Sequence, residues 1–299
     1  MIGNIINRIN KLAGVVFFNN LSTFSYNFFN ILYEKNILQK ETVNESKILE
    51  LYDQNGFVQF KGVDEEKIKK INYELSKQNV FKQADNRFVY EINENVKKLI
   101  KSAINEDFFE ILEKLRIYYN SNIFLGHALI TRNYNYDPTK GESYSNYYHC
   151  DGYLHTYFKI IINLSDADST MGPTSILDKK STKKNIGLFK YSSRSHENEK
   201  KINSKIFQNI SKIGDCLLVN TTQCLHKAGV PEKNKFRDTL FLIFCAYPNK
   251  EENIFSFEDE YENSIWGKNS KLVQILAKPY GLRKLFKLYK NFFENKLLN

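Results

Sequence analysis

Tyr147 to Pro173, YYHCDGYLHTYFKIIINLSDADSTMGP, carries three signals in a row. His149-Cys150-Asp151 ends a strand-like segment. Side chains alternate along an extended chain, so His149 and Asp151 point to one face and Cys150 to the other. Tyr147 shares the face of His149 by the same count. Residues 157 to 164 then form an isoleucine-rich apolar run, read as a strand with Asn163 as its polar exception. An acidic turn follows and closes on Gly172-Pro173, a chain-reversing pair.

Two ligand-type side chains facing one point need a third from elsewhere in the fold. His226, which follows a strand rich in Leu and Val, is the best candidate. Two histidines and one carboxylate on one face form the facial triad that holds Fe(II) and leaves positions open. By itself an HxD pair is weak evidence, and a surface histidine beside a capping aspartate is the more ordinary reading of it. Arg237 adds weight, because it opens the very apolar strand Phe236 to Ala246. A buried guanidinium needs an anion, and a planar carboxylate accepts two parallel hydrogen bonds from it. Thr239 lies two residues on, on the same face, and can donate another. The competing reading is a rim arginine paired with Asp238.

Working outward, strand signals cover 123 to 134, 144 to 149, 157 to 164, 173 to 177, 215 to 221, 225 to 230 and 236 to 246, each bounded by Gly, Pro, Asn or Asp. Many short strands at this spacing predict a sandwich or barrel. Before them come a helix ending near Gly56, a short strand Phe57 to Phe60, and a helix capped by Asp64 and running to about Gln78. A strand from Arg87 to Ile92 and helices over Asn95 to Ala103 and Asp107 to Tyr119 follow. Residues 178 to 210 form a Lys- and Ser-rich insertion, expected to be a mobile lid at the barrel mouth unless it is an inert surface loop. The resulting division is an N-terminal helical extension (1–43), a β core (44–250) and a C-terminal helical segment (251–299).

Composition bounds the function. Of 299 residues, 42% are hydrophobic and 26% charged, ordinary values that exclude wholesale disorder and a fibrous chain. No apolar run approaches the roughly 20 residues of a membrane-spanning helix, and no cleavage-site pattern follows the apolar N-terminal stretch. Four cysteines without a CxxC pair read as reduced thiols, so a cytoplasmic chain is expected. The net charge of +9 favours an anionic substrate, a nucleic acid or an anionic membrane. AT-rich codon usage accounts for the abundant Lys, Asn and Ile equally well.

Three ordered blocks resemble the phytanoyl-CoA dioxygenase-like family of Fe(II)/2-oxoglutarate oxygenases. They are LYDQNGFVQFKGVDEEKIKKINYEL (51–75), the 147–173 stretch, and IGDCLLVNTTQCLHKAGVPEKNKFRDTLFLIFCAY (213–247). The resemblance implies an α+β fold built on a double-stranded β-helix, a jelly-roll barrel flanked by helices. It implies that His149, Asp151 and His226 ligate Fe(II), and that Arg237, helped by Thr239, holds the distal carboxylate of 2-oxoglutarate. The activity it implies is an O2-dependent hydroxylation of an unactivated carbon on a small or carrier-linked, anionic substrate. Asp151 is the residue that halogenating relatives replace, so hydroxylation is favoured over halogenation. Where the family has a Pro-Gly-Ser-His turn, this chain has LDKKSTKK (177–184), with Ser181 and Thr182 in the Ser-His places.

Thr131, Asn133 and Asn163 are further candidates for contact with 2-oxoglutarate, or else satisfied core polar groups. Tyr147 and His155 are candidates for the substrate pocket, whereas His127 and His196 read as structural or exposed. The basic amphipathic stretch 282–298 is a candidate for peripheral membrane contact, or else a helix covering the core. Two rival functions are a catalytically silent jelly-roll binding protein and an oxygenase acting on nucleic acid. The second lacks a base-stacking motif.

Overall fold

A computed structural model describes residues 46–119, 122–143, 145–151, 155–186 and 195–247. The extension 1–43, the segment 251–299 and the amphipathic stretch 282–298 lie outside the described residues.

Among the described residues, four helices precede the main strands. Helix α1 (Lys47–Asn55) stops at Gly56, whose φ of 85° is left-handed and whose N–H bonds the Tyr52 carbonyl. Strand β1 (Phe57–Lys61) leads to α2 (Glu65–Ser76), and the Asp64 carboxylate accepts from the N–H groups of Glu66 and Lys67 at its start. Strands β2 (Val80–Ala84) and β3 (Arg87–Tyr90) form a hairpin ahead of α3 (Glu94–Ala103) and α4 (Glu106–Tyr119). Asn93 caps α3 through the N–H of Val96.

The β core begins with β4 (Asn122–Tyr134) and β5 (Tyr157–Asn163). Strand β6 (Ser175–Ile176), helices α5 (Lys179–Asn185) and α6 (His196–Glu199), and strand β7 (Phe207–Gln208) follow. Strands β8 (Asp215–Val219), β9 (His226–Lys227) and β10 (Phe236–Tyr247) complete it. Two antiparallel sheets result, of order β1-β8-β5-β10-β4-β3-β2 and β7-β6-β9. His149 bridges His226 and extends the small sheet by one position. The chain thus passes from β4 in the large sheet to His149 in the small one, then to β5, to β6 and β7, to β8, to β9 and to β10. That alternation between two facing sheets is the winding of a double-stranded β-helix, and it bears out the expected fold.

One correction concerns closure. The strands do not form a closed barrel: the large sheet ends at β1 and β2, and the small sheet is built from two-residue strands. Expected strands at 144–149, 173–177 and 225–230 shrink to a single bridge at His149 and two short pairs. Strand β2, at the edge and largely exposed, carries Lys82, a charge that discourages further pairing.

Alternation along β10 assigns the two faces of the large sheet. Leu240, Leu242 and Phe244 join Ile130, Ile160 and Ile162 in the main core, under α2, α3 and α4. The opposite face gives Ile161, Leu217, Val219 and Phe241 to a second cluster with Ile176 and Phe207 of the small sheet. Truncating a buried leucine such as Leu242 to Ala would cost about 2–5 kcal/mol. This inner face, between the sheets, is where the candidate site lies. Gly172 and Gly229 let two connecting loops touch: a Cβ on either would collide with the backbone of the other's loop. That close approach holds β6 against β9.

Candidate active site

The register of the small sheet places the first two residues. His149 and His226 exchange both backbone hydrogen bonds, at 3.0 and 2.9 Å, so their side chains leave the same face as neighbours. Their rings lie 4.4 Å apart between centroids. His149 Nδ1 is 2.9 Å from the Tyr147 carbonyl, and His226 Nδ1 is 3.0 Å from that of Cys224. A carbonyl only accepts, so both Nδ1 atoms donate and both Nε2 atoms present lone pairs, the tautomer a metal requires.

Asp151 completes the set. Its N–H bonds the Thr221 carbonyl at 2.9 Å, and its Oδ1 lies 3.7 Å from His149 Nε2 and 3.8 Å from His226 Nε2. One ligand atom from each residue falls within 4.8 Å of the others, a spacing that a single ion can span. Burial alone would raise the Asp151 carboxyl. The Lys159 ammonium, with His226 and His149, overrides it and holds the group well below the usual carboxylate range.

A second polar constellation occupies the same inner face. Cross-strand partners align Arg237 with Asn133 and Arg87, and Thr239 with Thr131 and Asn163. Arg237 is 1% exposed. None of its three guanidinium nitrogens has a hydrogen-bond partner among the described residues, nor do the hydroxyls of Thr131 and Thr239 or the Asn133 carbonyl oxygen. Desolvation, helped by the nearby Arg87, lowers the Arg237 guanidinium to about 10. The rim-arginine alternative fails, because Asp238 faces the other way and holds Arg132 through two bonds of 2.8 and 2.6 Å.

Asn163 is already engaged, since its amide donates to the Ser211 hydroxyl. His155 is buried, with Nδ1 2.9 Å from the Thr222 hydroxyl, and burial, with some help from Lys179, lowers it to about 4. The cavity that His149, Asp151 and His226 line is shared with Arg87, Lys159 and Phe241; Arg237, Thr239, Thr131, Asn133 and Asn163 lie on the same sheet face beyond its lining, and His155 and Tyr147 are not part of it. Tyr147 contributes its carbonyl, which fixes the His149 tautomer.

Lys159 and Arg87 escaped the sequence reading. Lys159 Nζ lies 2.6 Å from Asp151 Oδ2. Its signal was a lone cation inside the apolar run YFKIII. Arg87 stacks over the Phe241 ring at 5.5 Å. The insertion also departs from a mobile lid in its described part. Thr182 and Asn185 of α5 are buried, Thr182 Oγ1 accepts from the Leu225 N–H, and Lys179 bonds the Asp53 carbonyl of α1. Glu199 of α6 accepts from the Tyr148 N–H at 2.9 Å and pairs with Lys227 at 2.6 Å. It thereby clasps the residues next to both histidines.

No protein-family model matches the chain, and no curated protein matches it. Among solved structures it is similar to HygX from Streptomyces hygroscopicus with nickel and 2-oxoglutarate bound. That match is 14% identical and covers 72% of this chain and 89% of that one, with a TM-score of 0.47. It is similar to EctD from S. alaskensis with 2-oxoglutarate and 5-hydroxyectoine, at 13% identity over 71% and 79%, with a TM-score of 0.48. A third is the non-heme alpha ketoglutarate dependent epimerase SnoN from nogalamycin biosynthesis, at 12% identity over 72% and 90%, with a TM-score of 0.46.

Proposed function

We propose that the chain is an Fe(II)/2-oxoglutarate-dependent dioxygenase that hydroxylates an unactivated carbon of a small or carrier-linked anionic substrate. The observation that carries the reading is Arg237. A fully buried guanidinium with no hydrogen-bonding partner among the described residues is costly to keep, and its chemistry calls for a carboxylate. The donor set at the other end of the same face, two imidazole Nε2 atoms and one carboxylate oxygen, fits a divalent iron.

When bound, Fe(II) and 2-oxoglutarate supply the oxidation, in which one atom of O2 enters the substrate as a hydroxyl while 2-oxoglutarate is decarboxylated to succinate. The chain's own residues do the rest. His149, Asp151 and His226 hold the metal, with the carbonyls of Tyr147 and Cys224 fixing the imidazoles. Arg237, Thr239, Thr131 and Asn133 receive the far carboxylate of the cosubstrate. Along β5 the metal end lies at Lys159, which pairs with Asp151, and the carboxylate end at Asn163, the cross-strand partner of Thr239. Between them Ile161, Leu129 and Phe241 form an apolar layer that keeps water from the cosubstrate's middle. Lys159 and Lys227 of the lining are paired with Asp151 and Glu199, so the preference for an anionic substrate rests on the net charge of +9.

The three sequence blocks support placement in the phytanoyl-CoA dioxygenase-like branch. Four free, buried cysteines support a reducing compartment such as the cytoplasm. No helix among the described residues is long and apolar enough to cross a membrane. The test is conversion of 2-oxoglutarate to succinate, which should need Fe(II) and O2 and vanish in Asp151→Ala. Turnover that survives iron chelation or Asp151→Ala would reject the reading.

A further inference from the structure

We propose that Lys159 is a positioning residue that restricts Asp151 to one-oxygen ligation of the metal. The inference rests on the reading of His149, Asp151 and His226 as a divalent-metal site. Lys159 sits on β5, between β8 and β10 of the large sheet, with Val219 and Ile243 as its cross-strand partners. A lysine flanked in this way is costly to keep unless its ammonium is paired. Its partner is Asp151 Oδ2 at 2.6 Å, and the lysine side chain is 19% exposed.

Asp151 belongs to the other side of the cavity. It follows the His149 bridge and is tied to the Thr221 carbonyl by its own N–H. The Lys159 ion pair therefore joins the large sheet to the segment that follows the His149 bridge, and it engages one specific carboxylate oxygen. The other oxygen, Oδ1, is the one that faces both Nε2 atoms, at 3.7 and 3.8 Å. With Oδ2 engaged by an ammonium, chelation through both oxygens is blocked. Three of six octahedral positions then stay open, where a chelating carboxylate would leave about two. Hydrogen bonds to metal-ligating groups commonly set orientation in this way. Here the effect is on the number of exchangeable positions, not only on their direction.

The experiment uses Mn(II) as the probe on the full chain, with water-proton relaxation reporting exchangeable waters on the bound ion. The wild-type protein should show about three such waters. Lys159→Met should bind Mn(II) at least as tightly, since a nearby cation is gone, yet show about two, a fall of roughly one third in relaxation per bound ion. Lys159→Gln is the second variant, for the case in which Met at this cavity wall impairs folding. Its amide is one bond shorter, falls short of Oδ2 and tolerates water, and it should show the same loss. An unchanged water number in folded Lys159→Gln would overturn the positioning role. Failure of the wild-type chain to bind Mn(II), or equal binding by His149→Ala, would instead remove the metal reading on which the proposal stands.

Discussion

Replacing Arg237 with Met should make the ligand-free protein more stable and the cosubstrate complex weaker. Methionine keeps much of the apolar stem and removes the charge, so core packing changes little. Folding pushes the guanidinium down to about 10, chiefly through desolvation. That shift, at 1.36 kcal/mol per pH unit, corresponds to about 3 kcal/mol against folding. The sign follows from linkage. A cation whose folded value is depressed costs stability at every pH below about 10, and the cost fades only as the pH climbs through that value. At pH 7 the whole cost is present. For a domain of this size, 1 kcal/mol moves Tm by about 2–4 °C, so Arg237→Met should melt about 6–12 °C higher. Losing the charged partner of a buried carboxylate should weaken 2-oxoglutarate by about 2–5 kcal/mol, from roughly 30-fold to several-thousand-fold. Thermal melts of the Mn(II)-loaded proteins with and without 2-oxoglutarate read both effects. A lower Tm for ligand-free Arg237→Met, or a 2-oxoglutarate shift equal to that of the wild type, would refute the reasoning.

Four other outcomes follow from the same geometry. Arg237→Lys should keep the charge but lose the two-pronged contact, raising the 2-oxoglutarate KM by about 10-fold or more; an unchanged KM would remove the carboxylate clamp. Asp151→Ala should abolish hydroxylation while the two histidines retain measurable metal, which calorimetry with Mn(II) can check. His155 is depressed to about 4 by burial, so its stabilising neutral form is fully effective above pH 6.5 and is lost as the pH falls toward 4. Denaturant titrations should therefore show a shallower acid loss for His155→Asn than for the wild type. Glu199→Ala frees the Tyr148 N–H and Lys227, the neighbours of both histidines, and should weaken Mn(II) by about 10-fold without a matching fall in Tm.

The long strands were readable because burial writes itself into their sequence. The runs 123–134, 157–164 and 236–246 match β4, β5 and β10 within about one residue at each end. The small sheet was not, because a strand of two residues such as Ser175–Ile176 leaves no period to detect. Strand β2 was hidden for the opposite reason: its exposed edge carries Phe81, Lys82 and Gln83 without an apolar pattern. The triad could be anticipated from HxD alternation and the strand before His226. The side chains that brace it could not, since Lys159 reaches Asp151 and Glu199 reaches the Tyr148 N–H through contacts that local periodicity does not encode. Asn163 bonds Ser211 and His155 sits beside Thr222, contacts that join residues far apart in the chain and leave no local pattern.

The proposed site joins one metal at His149, Asp151 and His226 to one 2-oxoglutarate whose far carboxylate reaches Arg237 on the same sheet face. Anaerobic calorimetric titration of 2-oxoglutarate into the full chain, with and without Mn(II), tests it most directly. One 2-oxoglutarate should bind per chain, tightly only when Mn(II) is present, and this binding should be lost in Arg237→Met. Binding that is absent, or that is the same without the metal and without the guanidinium, would contradict it.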